Sequence, residues 1–399
     1  MKQKRTWIRK MTGAVACLLA AMMILAGGFP QAASAAAGSP PVYSSADLFT
    51  DRDLAQEADL SEAAYISVSD GQEVRITEAG VYVLSGTAAD ATVYVEAPDD
   101  AKVQMVLQNL QVTNSDFPVI NVVSADKVFI TTVADSALAV TGTFRADGGT
   151  STDGVIFSKQ DLTLNGTAML TIASTENGVV CKDDLKISGG TYAITAKSKA
   201  FEANDSIRVA GGIFTLRAGT DGFHAENSGD DSKGYIWIGG GSMDITCGDD
   251  GIHAASVVQI VDGEITISAA EGIEGTFIQL NGGTISITAS DDGINAANKA
   301  AAVEVAVEFN GATVNVAMGA GDTDGIDSNG NLYINGGVIS VTGNSTFDYD
   351  GTVSFTGGTV YINGQQTSSI PNQMMGGGGG RGMNGGWGMG GGRSGRGGW

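Results

Sequence analysis

The chain has 399 residues, of which 59 are glycine and 6 proline, with 42% hydrophobic and 17% charged residues. So much glycine with so little charge excludes a long-helix architecture, so few prolines exclude a collagen repeat, and the aliphatic content excludes disorder throughout. The net charge is −22, and all 44 acids lie between terminal segments that carry only bases; such a body repels nucleic acid and anionic lipid, and suits a divalent cation or a ligand that arrives with one.

Residues 1–35 read as a secretory signal. Lys2, Lys4, Arg5, Arg9 and Lys10 form a positive start, an apolar run follows from Met11 to Phe29, and Ala33-Ser34-Ala35 is a small-x-small cleavage site. A membrane anchor is the alternative, because the run is nearly long enough to span. Its Ala, Gly and Thr content and the cleavage site favour export, with no membrane contact after cleavage. A lipid anchor is not expected, since Gly28 stands where the modified cysteine belongs. Residues 36–64 read as a linker and N-terminal cap, and Asp47 to Ala64 is the one stretch outside the signal that suits a helix. Residues 65–366 read as one all-β domain, in which 65–150 follow a looser version of the plan and close the end of the stack. Residues 367–399, rich in Gly, Met, Arg and Trp, read as a disordered tail.

An internal period sets the fold. Asp221-Gly222-Phe223-His224-Ala225 recurs as Asp250-Gly251-Ile252-His253-Ala254, Glu271-Gly272-Ile273-Glu274-Gly275, Asp292-Gly293-Ile294-Asn295-Ala296 and Asp324-Gly325-Ile326-Asp327-Ser328. Earlier copies are Asp153-Gly154-Val155 and Asn177-Gly178-Val179, and Lys199-Ala200-Phe201-Glu202-Ala203 is a degenerate one. The glycine positions step by 24, 22, 22, 29, 21, 21 and 32 residues, with insertions near 227–235 and 297–308 filling the two long steps. Each copy also holds a Gly-rich turn between alternating strands, as in Ile278-Gln279-Leu280-Asn281-Gly282-Gly283, where glycine supplies positive φ. Gly-Gly and Asn-Gly turns also suit antiparallel hairpins. The strict 21–22-residue step favours a parallel β-helix of about three strands per coil, with residues of equal phase stacked.

Stacking yields two polar columns. One is Asp221, Asp250, Glu271, Asp292 and Asp324. The other, three residues on, is Glu202, His224, His253, Glu274, Asn295, Asp327 and Asp348, and Asp249, Asp291 and Asp322 add acids before the turn. Turn chemistry explains one Asp per coil, with Gly in the left-handed position, but not the doubled acids. Carboxylates ~5 Å apart repel by roughly 1–3 kcal/mol per neighbour. An ion midway between coils would lie about 2.4 Å from each, within calcium–oxygen distance. Ca²⁺ is therefore the expected cofactor, on Asp221, Asp249, Asp250, Glu271, Glu274, Asp291, Asp292, Asp322, Asp324 and Asp327. Two stacked histidines with Glu202 or Glu274 also offer a zinc set, although a stacked surface pair is the plainer reading. The register separates Cys181 and Cys247 by about three coils, roughly 14 Å, so no disulfide is expected between them.

A further outward column is Thr163, Lys186, Arg208, Trp237, Gln259, Gln279, Glu308 and Tyr333. Within it Lys186, Arg208 and Trp237 are candidate carbohydrate-binding residues, because arginine pairs with uronate carboxylates and sugar rings stack on aromatic faces.

Several segments carry a family resemblance. They are Asp47-Leu48-Phe49-Thr50-Asp51-Arg52-Asp53-Leu54, Gly80-Val81-Tyr82-Val83-Leu84-Ser85-Gly86-Thr87, Lys182-Asp183-Asp184-Leu185-Lys186-Ile187-Ser188-Gly189-Gly190-Thr191, Lys233-Gly234-Tyr235-Ile236-Trp237-Ile238-Gly239-Gly240 and Asp291-Asp292-Gly293-Ile294-Asn295-Ala296. Together, over about 47–364, they resemble the secreted bacterial carbohydrate-binding domain-containing proteins with a right-handed parallel β-helix. The resemblance implies calcium and binding of plant cell-wall polysaccharide, chiefly polygalacturonate, with cellulose as a further candidate. The departures are Lys199-Ala200 in place of Asp-Gly, and Gly28 where many members are lipidated. The rival reading is a pectate lyase or polygalacturonase on the same scaffold. Arg208 or Arg217 would then be a lyase base, and Asp249-Asp250 or Asp291-Asp292 a hydrolase pair. No Gly-His-Gly or Arg-Ile-Lys sequence of the hydrolase type occurs. An adhesin without a glycan ligand is a third class.

Overall fold

The computed structural model describes residues 43–320 and 323–373. The expected signal segment, the candidate calcium ligand Asp322 and the stretch from Met374 lie outside the described residues. Ser45–Leu48 and Asp51–Leu54 are single helical turns, so the helix expected from Asp47 to Ala64 does not form as one element. Thr50 caps the second turn in a reciprocal box with Asp53. The segment is held by the sheet it lies on and not by a helical ladder of its own.

Each regular coil has three strands, as in Asp250–Ala254, Val257–Ile260 and Glu264–Ala269. Each strand pairs in parallel with its counterparts one coil before and after; Asp250–Ala254, for example, lies between Phe223–Ala225 and Glu271–Gly275. The first strands of the coils make a 12-stranded sheet, here called the acidic face. The second and third strands, the middle and flat faces, belong to one 24-stranded sheet. Gly80–Ala89 and Lys102–Asn114 join these two faces by running through the corner between them. The fold is a parallel β-helix.

Coiling begins at Ala64–Ser67, and Glu73–Ile76, Thr92–Glu96, Ile120–Ser124 and Gly154–Ser158 stack in order on the acidic face. Residues 65–150 are thus coils of the same helix. At the other end, Thr359–Ile362 pairs antiparallel with Gln365–Thr367, a break in direction that blunts the last edge.

Alternation explains the core. Ile252, Ile273, Ile294 and Ile326 are fully buried in one in-register column. Phe201 stacks on Phe223 with ring centroids 5.1 Å apart, and Tyr192 on Phe214 at 5.3 Å. The two kinds of glycine have different causes. At the Gly-rich corner Gly283 takes φ +81°, which an L side chain rarely adopts. The Asp-Gly glycines do not take the expected left-handed φ. Instead, a Cβ on Gly272 would lie 2.3 Å from the carbonyl oxygen of Gly293, so close approach of the next coil excludes any side chain. Cys181 is buried and Cys247 half-buried, both as free thiols. Burial pushes the Cys247 thiol up to about 12.

Candidate functional site

On the acidic face, Glu202, His224, His253, Glu274, Asn295, Asp327 and Asp348 are direct neighbours in that order. Asp250 pairs with Glu271 in the adjoining column. The register places the predicted columns as expected, but their chemistry divides into two halves.

In the first half the column acids Glu202, Asp221, Asp250 and Glu274 each have a basic neighbour. Glu202 meets Lys182 at 2.8 Å and Lys199 at 3.3 Å, so Lys199 of the degenerate copy is a counter-charge. His253 Nδ1 lies 2.6 Å from Asp250 Oδ2 and 2.7 Å from Glu274 Oε2. Burial opposes charge on this imidazole, but the two carboxylates outweigh it and raise His253 to about 9. Glu274 is buried too, yet His253 and Lys299 (2.8 Å away) hold its carboxyl well below the usual range. His224 stacks on His253 with centroids 4.4 Å apart, and its Nδ1 lies 2.9 Å from Asp221 Oδ2, off the line of a good hydrogen bond. Asp221 Oδ1 accepts the Asp250 backbone N–H at 3.2 Å.

In the second half there are no such partners. Among the described residues, no Lys, Arg or His lies within ion-pair distance of Glu271, Asp292, Asp324, Asp327 or Asp348. Burial first, then repulsion from neighbouring acids, pushes Glu271 and Asp327 up to about 7 and Asp292 to about 6. Asn295 Nδ2 donates to Glu271, Asp292 accepts the Asp324 backbone N–H, and Asp324 accepts from the Ser345 hydroxyl. Asn295 Oδ1 and Asp348 Oδ1 are buried without a donor. Two orphaned oxygens flank Asp327 in an all-oxygen row, a donor set that fits a hard cation such as calcium.

Convergence is more local than a continuous ladder. Among the described residues, groups of three His, Cys, Asp or Glu donors within 4.8 Å of one another are His224, Glu226, His253 and Asp250, His253, Glu274. Asp249 and Asp291 are exposed and belong to neither group. Two depressions flank the histidines. One of about 290 Å³ is bordered by Lys199, Glu202, His224 and Glu226; the other, about 280 Å³, by Glu226, Ser228, His253 and Lys299. Glu226 opens the first insertion and Lys299 sits in the second. The two insertions touch where the Ala302 N–H donates to Asp231 Oδ2 at 2.8 Å. Sequence periodicity located these insertions but assigned neither residue, because an insertion has no phase.

The middle face corrects an expectation. Thr163, Lys186, Arg208, Trp237, Gln259, Gln279, Glu308 and Tyr333 do form one row. However, Lys186, Arg208 and Trp237 are not an open sugar-binding surface, since the segment 43–56 lies across them. Asp53, fully buried, bridges Lys127 at 2.5 Å and Lys186 at 3.2 Å and accepts from the Thr163 hydroxyl at 3.0 Å. Arg208 is paired with Asp184 at 2.6 Å. Trp237 is only 3% exposed, with Phe49 packed on it at 5.8 Å. Tyr43 stacks on Tyr235 at 4.2 Å, and its backbone exchanges two hydrogen bonds with Gln259. These side chains do point out of the coil; a segment distant in sequence then covers them.

The chain is similar in sequence to known proteins. A family model described as carbohydrate-binding domain-containing protein matches residues 70–276. A carbohydrate-binding domain-containing protein of Acetivibrio thermocellus is 32% identical over 136 residues, 33% of this chain and 47% of the relative, so the match spans about half of that relative's length. A solved structure, the gadolinium derivative of a polysaccharide lyase-like protein from C. thermocellum, aligns over 75% of this chain and 96% of its own, at 24% identity and a TM-score of 0.45. The matched span, 70–276, takes in most of the compensated half of the acidic face together with the coils beneath it, and the chain belongs to the family of carbohydrate-binding domain-containing proteins.

Proposed function

We propose that this protein is exported and binds acidic plant cell-wall polysaccharide without cleaving it, chiefly polygalacturonate, with calcium held on the acidic face. The row Asn295, Asp327, Asp348 carries this reading: two buried oxygens without donors flank a carboxylate that has no base beside it. When bound, calcium supplies a divalent charge that carboxylates of two molecules can share. Asp292, Asp324, Asp327 and Asp348 would hold it, and Asn295 would offer its unpaired amide oxygen. The remaining work falls to the protein surface. A chain with net charge −22 repels a polyuronate at long range. Lys199 and Lys299, ion-paired with Glu202 and Glu274, border the two depressions and make this part of the acidic face less repulsive to a uronate chain. The basic start and small-x-small site at Ala33-Ser34-Ala35 support export.

Pull-down on insoluble polygalacturonate tests this. Excess EDTA is expected to weaken binding by tenfold or more, about 1.4 kcal/mol, and restored calcium to recover it. The pair Asp292→Asn and Asp327→Asn should reproduce the loss. Retention unchanged in EDTA removes calcium from the mechanism. A rise in the ultraviolet absorbance of unsaturated uronate during incubation would replace binding by a lyase activity. Retention on cellulose but not on polygalacturonate would move the ligand to a neutral glucan.

A further inference from the structure

We infer that His224, His253 and Glu226 form a site for a divalent transition metal of the zinc class, separate from the oxygen-lined part of the acidic face. Three features of the side chains lead there. First, the rings stack nearly parallel, 15° apart in plane, on adjacent coils. Second, each Nδ1 faces a carboxylate three residues earlier on its own coil: Asp221 at 2.9 Å for His224, Asp250 at 2.6 Å for His253. At His253 the carboxylate hydrogen-bonds Nδ1, which orients the imidazole and leaves Nε2 as the donor, the arrangement that metal-binding histidines use; at His224 the contact is close but off that line. Third, Glu226 Oε2 stands 3.3 Å from His224 Nε2, and the three donors lie within 4.8 Å of one another.

The insertion explains how the third donor arrives. Glu226 begins the loop that interrupts the 21–22-residue step, and the loop is pinned at both ends to Asp205. Asn227 Nδ2 donates to Asp205 Oδ1 at 2.9 Å, and Lys233 Nζ lies 2.5 Å from Oδ2. Other coils at this phase carry Glu202, Glu274, Asn295 or Asp327, so two nitrogens occur together at this place alone in the column. Two nitrogens and one carboxylate select zinc, nickel or copper over calcium, which takes oxygen ligands. The depressions on either side leave room for a further ligand from solvent or from a bound sugar. Asp221 and Asp250 are positioning residues, because they act through the imidazoles.

The test uses untagged full-length protein stripped with EDTA, titrated with Zn²⁺ by calorimetry and with Co²⁺ by visible absorption. About one ion per chain is expected, with cobalt d–d bands that mark nitrogen ligation. Millimolar Ca²⁺ should not displace it. His224→Asn with His253→Asn should abolish the bands. Glu226→Gln should weaken zinc by about tenfold; its side chain is 57% exposed, so its loss does not threaten the fold. Asp250→Asn should also weaken zinc by roughly 10–100-fold while shifting the cobalt spectrum, a change that a merely structural role would not cause. Absence of cobalt bands, zinc affinity unchanged in the double histidine variant, or displacement by calcium would each overturn the site. Loss of polygalacturonate binding in EDTA that calcium alone restores concerns the proposed uronate binding and leaves this site untouched.

Discussion

Asp53→Ala is expected to destabilise the protein by about 3–5 kcal/mol, the usual cost of stripping the partner from a buried charge. Its carboxylate is fully buried and joined to two ammonium groups that are themselves nearly buried, Lys127 and Lys186, and to the Thr163 hydroxyl. Burial alone would raise its pKa, but the Lys127 hydrogen bond and both lysine charges hold it far below the ordinary carboxylate range. Removing the carboxylate leaves two nearly buried ammonium groups without the counter-charge that joined them. Asp53→Asn keeps the shape and should be nearly as damaging. Replacing all three charged groups together by apolar residues of similar volume should recover much of the loss. Denaturant unfolding gives the free energy. Emission of Trp237, a tryptophan held under Phe49, reports release of the segment, because exposure to water shifts it to the red. A loss below about 1 kcal/mol for Asp53→Ala would mean that segment 43–56 rests on the middle face without being anchored there. The sign with pH is fixed as well. With the folded pKa depressed, this contribution is whole above the unfolded value near 4 and disappears as pH falls below it.

This anchor also marks where the sequence stops being informative. Period and phase are local properties of the repeat, so they gave the parallel coils, the buried Ile252–Ile273–Ile294–Ile326 column and the order Glu202 to Asp348. Phase also tells which side chains leave the core, and Lys186, Arg208 and Trp237 do leave it. It cannot tell what another segment lays over them. Covering Trp237 with Phe49, and Lys186 with Asp53, joins residues more than a hundred positions apart, and neither partner lies in the repeat. A signal was present in the acidic and aromatic cluster of Asp47 to Leu54, which is too polar for a buried helix yet carries Leu48 and Phe49 together.

The same limit explains the acidic face. Counting acids by phase treats every rung alike, whereas neutralisation depends on bases that have no phase. Lys299 arrives from one insertion, and Lys182 and Lys199 lie beside Glu202 across the coil. They neutralise the half around Glu202 and Glu274 and leave the half around Asp327 uncompensated. The two halves therefore favour different cations: nitrogen donors gather at His224 and His253, and oxygen donors without counter-charge at Asn295, Asp327 and Asp348.

That asymmetry has a measurable consequence in solution. In EDTA, stability is expected to be greatest near about pH 4–5 and to fall by on the order of 3 kcal/mol toward pH 8, after discounting for partial exposure and shared repulsion. Glu271, Asp292 and Asp327 titrate near 4 in an unfolded chain but at about 7, 6 and 7 when folded. Between those values the folded state binds more protons than the unfolded one, so stability declines as pH rises. His253 acts in the same direction. Its folded value of about 9 exceeds the ordinary 6.5, so its contribution is whole below 6.5 and is lost as pH passes 9. The acid limb belongs to Asp53, Glu202, Asp221 and Glu274, all depressed, whose contributions vanish as pH drops below about 4. Calcium binds ionised carboxylates, so at saturation it should lift the alkaline limb and leave the acid limb alone. Asp292→Asn with Asp327→Asn should raise the alkaline limb in EDTA and cancel the calcium effect. Calorimetric melts across the pH range, with and without calcium, give both curves. A flat profile from pH 5 to 8 in EDTA, or an equal calcium shift in the double variant, would show that these carboxylates carry no unrelieved repulsion, and the case for a cation on this row would go with it.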